Sequence, residues 1–113
     1  MAKKTHDDQV CLNSHVLDAL REHGDALTAV REIDHFAYFS NAELCIQFID
    51  KCLAVGFKLR TTGPAATDDS FLAQVFHNDV PDEETLGKIT SLLVDLAQEY
   101  GGEYDGWETQ VVK

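Results

Sequence analysis

The groups with which this chain could do chemistry are five histidines, three cysteines and a large excess of carboxylates, 20 acidic residues against 9 basic. His35 and His77 are the most suggestive pair. Each lies in a segment that alternates like a strand, and two imidazoles on neighbouring strands could pass a proton or respond to pH near neutrality. A small enzyme using this pair for proton transfer is therefore one reading. Two histidines hydrogen-bonded inside a core is the other. Cys45 and Cys52 share one helix face, but structural zinc takes four ligands, commonly from close pairs such as C-x₂-C. No such pair is present. Free cysteines favour burial, so these two read as core packing, and neither a metal nor any other cofactor is expected. Cys11 has only His15 near it along the chain. Ser14-His15 and Ser91-x₃-Asp95 fall on ordinary helix surface, so no activated nucleophile is assembled.

A second constellation is aromatic. Glu103-Tyr104-Asp105-Gly106-Trp107-Glu108 sets the only tryptophan among carboxylates and beside a glycine. Tryptophan and tyrosine are favoured anchors at protein interfaces. An aromatic ringed by acids suits an arginine-rich ligand, through cation–π contact and paired hydrogen bonds. The plainer alternative is that Trp107 closes the core while the acids face water. The candidate protein-binding residues are Asp34, Tyr38, Glu103, Tyr104, Asp105 and Trp107. No catalytic residue is nominated.

The elements that must position these groups follow from periodicity. A first helix is predicted from about Asp8 to His23, on Leu12, Val16, Leu17 and Leu20, with Gly24 as its stop. Arg31 to Phe39 is a strand with Ile33, His35, Ala37 and Phe39 on one face and Asp34, Phe36 and Tyr38 on the other. Aromatics on both faces predict a central strand. Ser40 and Glu43 form a capping box for a second helix to about Val55, striped by Cys45, Phe48, Ile49, Cys52 and Leu53. Phe57 to Thr61 alternates as a strand. Thr62 to Asp69 reads as a loop, and Ser70 to Asn78 as another strand, packed through Phe71, Val75 and Phe76. A third helix runs from about Pro81 to Tyr100, on Leu86, Ile89, Leu93, Leu96, Ala97 and Tyr100. Gly101-Gly102 caps it. Glu103 to Val111 is a last strand, bent at Gly106.

Helix, then strand–helix–strand–strand–helix–strand, is an α+β pattern. Its last six elements match the ferredoxin-like split βαβ, with two helices on one face of a four-stranded antiparallel sheet and an extra helix at the N-terminus. With 113 residues, 44% of them hydrophobic, the chain reads as one domain over residues 1–113, with 1–7 as a flexible N-terminus.

A formal net charge of −11 repels phosphate backbones and anionic lipids near the surface and favours a basic partner or plain solubility. A ferredoxin-like sheet can stack RNA bases on surface aromatics. Phe36 and Tyr38, with Phe71 or Phe76, could imitate that platform, but no basic Gly-aromatic signature accompanies them. Direct nucleic-acid binding is not expected. No run of about 18 apolar residues exists to cross a membrane. The start of the chain has no signal-peptide character, and three cysteines do not make a disulfide framework. A cytoplasmic protein is expected. A homodimer formed through the sheet face is a further reading.

Arg31-Glu32-Ile33-Asp34-His35-Phe36-Ala37-Tyr38-Phe39, Gly56-Phe57, and Gly102-Glu103-Tyr104-Asp105-Gly106-Trp107 together resemble the bacterial regulator of ribonuclease E activity B family (RraB). The likeness runs from about the first helix to Glu108, and Tyr-Asp-Gly-Trp is its most specific part. The resemblance implies a non-enzymatic regulator that binds ribonuclease E through that enzyme's scaffold region and restrains RNA decay.

Overall fold

A computed structural model describes residues 5–66 and 68–113. In chain order its elements are α1 (His6–Glu22), β1 (Arg31–Phe39), α2 (Ala42–Ala54), β2 (Lys58–Pro64), β3 (Phe71–Asp79), α3 (Glu83–Glu99) and β4 (Glu103–Thr109). The strands make one antiparallel sheet in the order β2-β3-β1-β4. That order is the split βαβ arrangement. β1 lies in the middle, as its two-sided aromatics predict. Ile33, His35, Ala37 and Phe39 are buried, while Asp34, Phe36 and Tyr38 are half-buried on the opposite face. α2 packs on β3, β2 and β1, α3 on β4 and β1, and α1 on α3.

Each helix start is fixed by a side chain that accepts an otherwise unpaired backbone N–H. Thr5 Oγ1 accepts from Asp8 N–H at 3.1 Å, and Asp8 Oδ2 accepts from Thr5 N–H at 3.2 Å, a reciprocal box that opens α1. The flexible N-terminus expected over 1–7 lies outside the described residues as far as position 4. Thr5 is the cap, and His6 and Asp7 are in the first turn. For α2 the predicted Ser40–Glu43 box is corrected. Asn41 is the cap, its Oδ1 accepting from Leu44 N–H at 2.9 Å. Asp82 caps α3 by accepting from Thr85 N–H at 2.8 Å, so Pro81 precedes the helix instead of opening it.

The buried stripes differ from the hydrophobic periodicity in all three helices. α1 buries Gln9, Asn13, Leu17 and Leu20, whereas Leu12 is exposed. In α2 the stripe is Cys45, Phe48, Ile49 and Cys52, and Leu53 faces out. α3 buries Thr90 and Val94, while Ile89, Leu96 and Tyr100 are half-buried. β2 continues through Thr62, Gly63 and Pro64, which pair with Ala73, Leu72 and Phe71, so the predicted loop begins three residues late. Within that loop Thr67 lies outside the described residues.

The two closing glycines have different jobs. Gly101 takes a φ of +72°, the left-handed helix stop that side chains resist. Gly102 is needed for space, because a Cβ there would stand 2.3 Å from the Phe39 ring. Beyond it, Gly106 pairs with Phe36 and Tyr104 with Ala37, leaving Asp105 as the extra residue of a bulge. Among the described residues no helix is long and apolar enough to cross a membrane.

Candidate functional site

On the helix-covered face, β1 and β3 bring the two histidines together as their adjacent strands require. His35 Nε2 and His77 Nε2 are 2.9 Å apart, and His35 Nδ1 is 2.8 Å from the Tyr104 hydroxyl. Asp79 Oδ2 stands 3.9 Å from His77 Nδ1. A carboxylate beside Nδ1 favours the proton there, which leaves His77 Nε2 as acceptor. His35 Nε2–H then donates to His77, and His35 Nδ1 accepts from Tyr104 O–H. Tyrosine, histidine and histidine thus form one directed hydrogen-bonded chain, with Asp79 near its far end.

The chain is closed from solvent at its centre. His35 is 1% exposed, and Phe57 packs edge-on against both imidazoles. Burial pushes His35 down to about 3, with the neighbouring His77 adding to the effect. Burial also lowers His77, against the opposing pull of Asp79. Tyr104 is raised well above its ordinary value, chiefly by burial and then by Asp105. The two imidazoles bridge β1 and β3, with His35 sealed and His77 half-buried. A substrate cannot reach His35, so the proton-transfer reading loses its first residue.

Tyr104 and Trp107 also point inward, which corrects their expected role as exposed anchors. Trp107 is 8% exposed and packs with Leu17, Leu20, Ile33 and Leu86. Its Nε1–H donates to Asn13 Oδ1 at 2.7 Å. Asn13 receives a second bond from Gln9 Nε2 at 2.8 Å and donates to Thr90 Oγ1 at 2.9 Å. One buried amide therefore ties α1 to α3 and β4. The plainer sequence reading of Trp107, as the residue that closes the core, describes its position.

The other four candidates lie on or beside the uncovered face. Cross-strand partners share a face, so the register places Tyr38 beside Glu103, Asp34 beside Glu108, and Phe36 beside Gly106 on β4. On the other flank Tyr38 meets Leu72, Phe36 meets Gln74, and Asp34 meets Phe76. Asp105 is exposed in the bulge. Phe36, Tyr38, Leu72 and Phe76 are all half-buried on this face, with Gln74 beside Phe36 and Asp34 beside Phe76, and no helix lies over it among the described residues. Phe71, considered for this platform, pairs with the buried Phe39 and joins the core instead.

Asp34 organises one end of this face. Its side chain is 14% exposed and accepts from Gln74 Nε2 at 2.7 Å and from Arg60 Nη2 at 3.0 Å. Arg60 also pairs with Glu32, and its guanidinium carbon lies 3.9 Å above the Phe76 ring. The Asp34 and Glu32 hydrogen bonds hold the Arg60 proton more tightly than usual. Beside this group is an open cleft of about 340 Å³, whose walls include Glu32, Asp34 and Glu108. The sequence places Phe36 in a possible RNA platform, Phe76 there or in the packing of its strand, and Glu108 in the acidic run around Trp107 without a binding role. Phe76 lies on the open face opposite Asp34. The alternation of β1 was the available signal for that face.

Cys45 and Cys52 are buried, as packing predicts, and burial pushes the Cys52 thiol up to about 12. Among the described residues, no group of three His, Cys, Asp or Glu side chains is placed to hold a metal ion.

These features define an α+β protein of ferredoxin-like plan, with helices on one sheet face and aromatics within a rim of carboxylates on the other. The chain belongs to the RraB family, regulator of ribonuclease activity B, which matches residues 12–109. The family is one of regulators of ribonuclease activity. No curated protein matches the chain.

Proposed function

We propose that this protein regulates RNA decay in the cytoplasm by binding ribonuclease E, and that it works without catalysis of its own. Docking uses the helix-free sheet face. Asp34, Tyr38, Glu103 and Asp105 meet the partner together with Phe36, Phe76 and Glu108, while Tyr104 and Trp107 hold β4 from behind. The observation that carries this reading is the half-buried set Phe36, Tyr38, Leu72 and Phe76, bordered by Glu32, Asp34, Glu103 and Glu108. An apolar centre within a charged rim is the anatomy of a protein interface. The carboxylates select a basic partner and speed its arrival.

The rate at which full-length ribonuclease E cleaves a defined RNA tests the proposal. Wild-type protein should change that rate in a concentration-dependent way. The Glu103→Lys/Glu108→Lys variant, checked for folding by circular dichroism, should be at least about tenfold less potent, as loss of close interfacial charge pairs implies. Equal potency would remove this face as the docking site.

A further inference from the structure

We infer that the β1–β4 half of the open face is a receptor for arginine side chains of the partner, with the Phe36 ring as its platform. This rests on the open face being the docking face. The molecule already displays how that face holds a guanidinium. Arg60 stacks 3.9 Å above Phe76 while Asp34 and Glu32 receive its N–H groups. One aromatic ring and two carboxylates suffice, and the planar fork of arginine satisfies both kinds of contact at once.

The same ingredients recur one step along β1. Phe36 lies between the cross-strand pairs Asp34–Glu108 and Tyr38–Glu103, and its own partner on β4 is Gly106, which has no side chain to cover the ring. Diagonal neighbours on a sheet lie about 7–8 Å apart, within reach of long side chains, so Glu108 and Glu103 border the Phe36 ring from either end. Here, however, neither Glu108 nor Glu103 makes an ion pair among the described residues. The open-face positions of β1, β3 and β4 contain neither lysine nor arginine, and Lys58 and Arg60 stand on β2, at the far edge of the sheet. The Arg60 guanidinium is already taken up by Asp34 and Glu32 on β1, so the carboxylates of β4 are the ones left for a basic ligand. Alternate residues of an extended segment face the same way, so arginines at every second position would address Glu108, Phe36 and Glu103 in turn.

Lysine should not substitute. An ammonium is a compact point charge that neither stacks nor forks. The arginine preference therefore separates this site from general attraction to an acidic protein.

The test uses the whole protein and two blocked peptides, Gly-Arg-Gly-Arg-Gly-Arg-Gly and its lysine counterpart, followed by amide chemical shifts. Shifts should centre on Phe36, Tyr38, Glu103, Gly106 and Glu108. The arginine peptide should bind about threefold or more tighter than the lysine peptide, the scale of an exposed cation–π contact. Phe36→Leu, which keeps apolar bulk without the π face, should erase most of that difference, and its own spectrum reports whether it is folded. Equal affinity for the two peptides, no binding of either, shifts on the helices, or an unchanged preference in Phe36→Leu would overturn the inference. Ribonuclease E is absent from this experiment, so the outcomes separate. Selective peptide binding without any effect on ribonuclease E defeats the proposed function alone. Regulation of ribonuclease E with indiscriminate peptide binding defeats only the arginine receptor.

Discussion

The Nε2 atoms of His35 and His77 lie 2.9 Å apart, so one imidazole must donate a hydrogen bond to the other. Both rings are lowered by burial, and His35 is held at about 3. In the unfolded chain histidine takes a proton near pH 6.5. As the pH falls below that value the unfolded state binds protons that the folded state refuses, and stability falls with it. The contribution is complete above about pH 6.5 and is lost progressively toward the folded value of about 3. Urea denaturation at pH 7, 6 and 5 should show a loss approaching about 1.4 kcal/mol per pH unit for each refused proton. His35→Gln should flatten that slope. A wild-type stability that is level between pH 7 and 5 contradicts the sealing of His35.

Asn13 joins α1 to the rest of the molecule by accepting from Trp107 and Gln9 and donating to Thr90. Asn13→Leu leaves the buried indole N–H without its acceptor. The expected cost is about 1–3 kcal/mol, because a stranded buried donor loses its full solvation. Adding Trp107→Phe removes the stranded donor, so the double variant should lose less than the sum of the single losses. Chemical denaturation of the three variants measures the coupling, and strict additivity would show that the bond contributes nothing.

Asp25 and Arg31 form a buried pair that also receives the end of the chain. Arg31 Nη2 donates to Asp25 Oδ1 at 3.0 Å, Val112 N–H donates to Asp25 Oδ2 at 3.0 Å, and Arg31 Nη1 donates to Gln110 O at 3.0 Å. Arg31, chiefly by hydrogen bonding, holds the Asp25 carboxyl well below the usual carboxylate range. That stabilisation is present above the ordinary carboxyl value and is lost as the pH falls below it, a window beneath the histidine one. Arg31→Met strands the carboxylate and should cost about 3–5 kcal/mol at pH 7. The deficit should shrink in acid, where the stranded carboxyl takes a proton. Thermal unfolding at pH 7 and 4 checks both signs.

Gly102→Ala should be worse than a similar change in an open turn. Its methyl would sit 2.3 Å from the buried Phe39 ring and 2.6 Å from the Tyr38 backbone carbonyl. A loss of about 1–3 kcal/mol is expected from such overpacking. Unchanged denaturant midpoints would show that β1 and β4 can separate without cost.

Much of the fold was legible because its strands and helices carry clean periods. The inward set Ile33, His35, Ala37 and Phe39 follows from alternation alone, and the central place of β1 follows from its two aromatic faces. The buried face of α1 was not legible. Gln9 and Asn13 look like solvent residues until Thr90 and Trp107, 77 and 94 residues beyond Asn13, pair with Asn13, which also accepts from Gln9. The same long-range bond explains the misplaced anchor. Trp107 lies in an acidic run that resembles surface, yet its alternation with Glu108 turns the ring inward and the carboxylate outward. Asn41 displaced Ser40 as the cap because either residue type can serve, and only the backbone geometry decides between them.

Calorimetric titration of full-length ribonuclease E with this protein, at low and high salt, tests the central claim most directly. The account predicts a complex that weakens steeply as salt rises, because exposed charges are screened over about 8 Å at physiological ionic strength, and a loss of affinity in the Glu103→Lys/Glu108→Lys variant. A complex of equal strength in both salts, and unaffected by the two reversals, would contradict it.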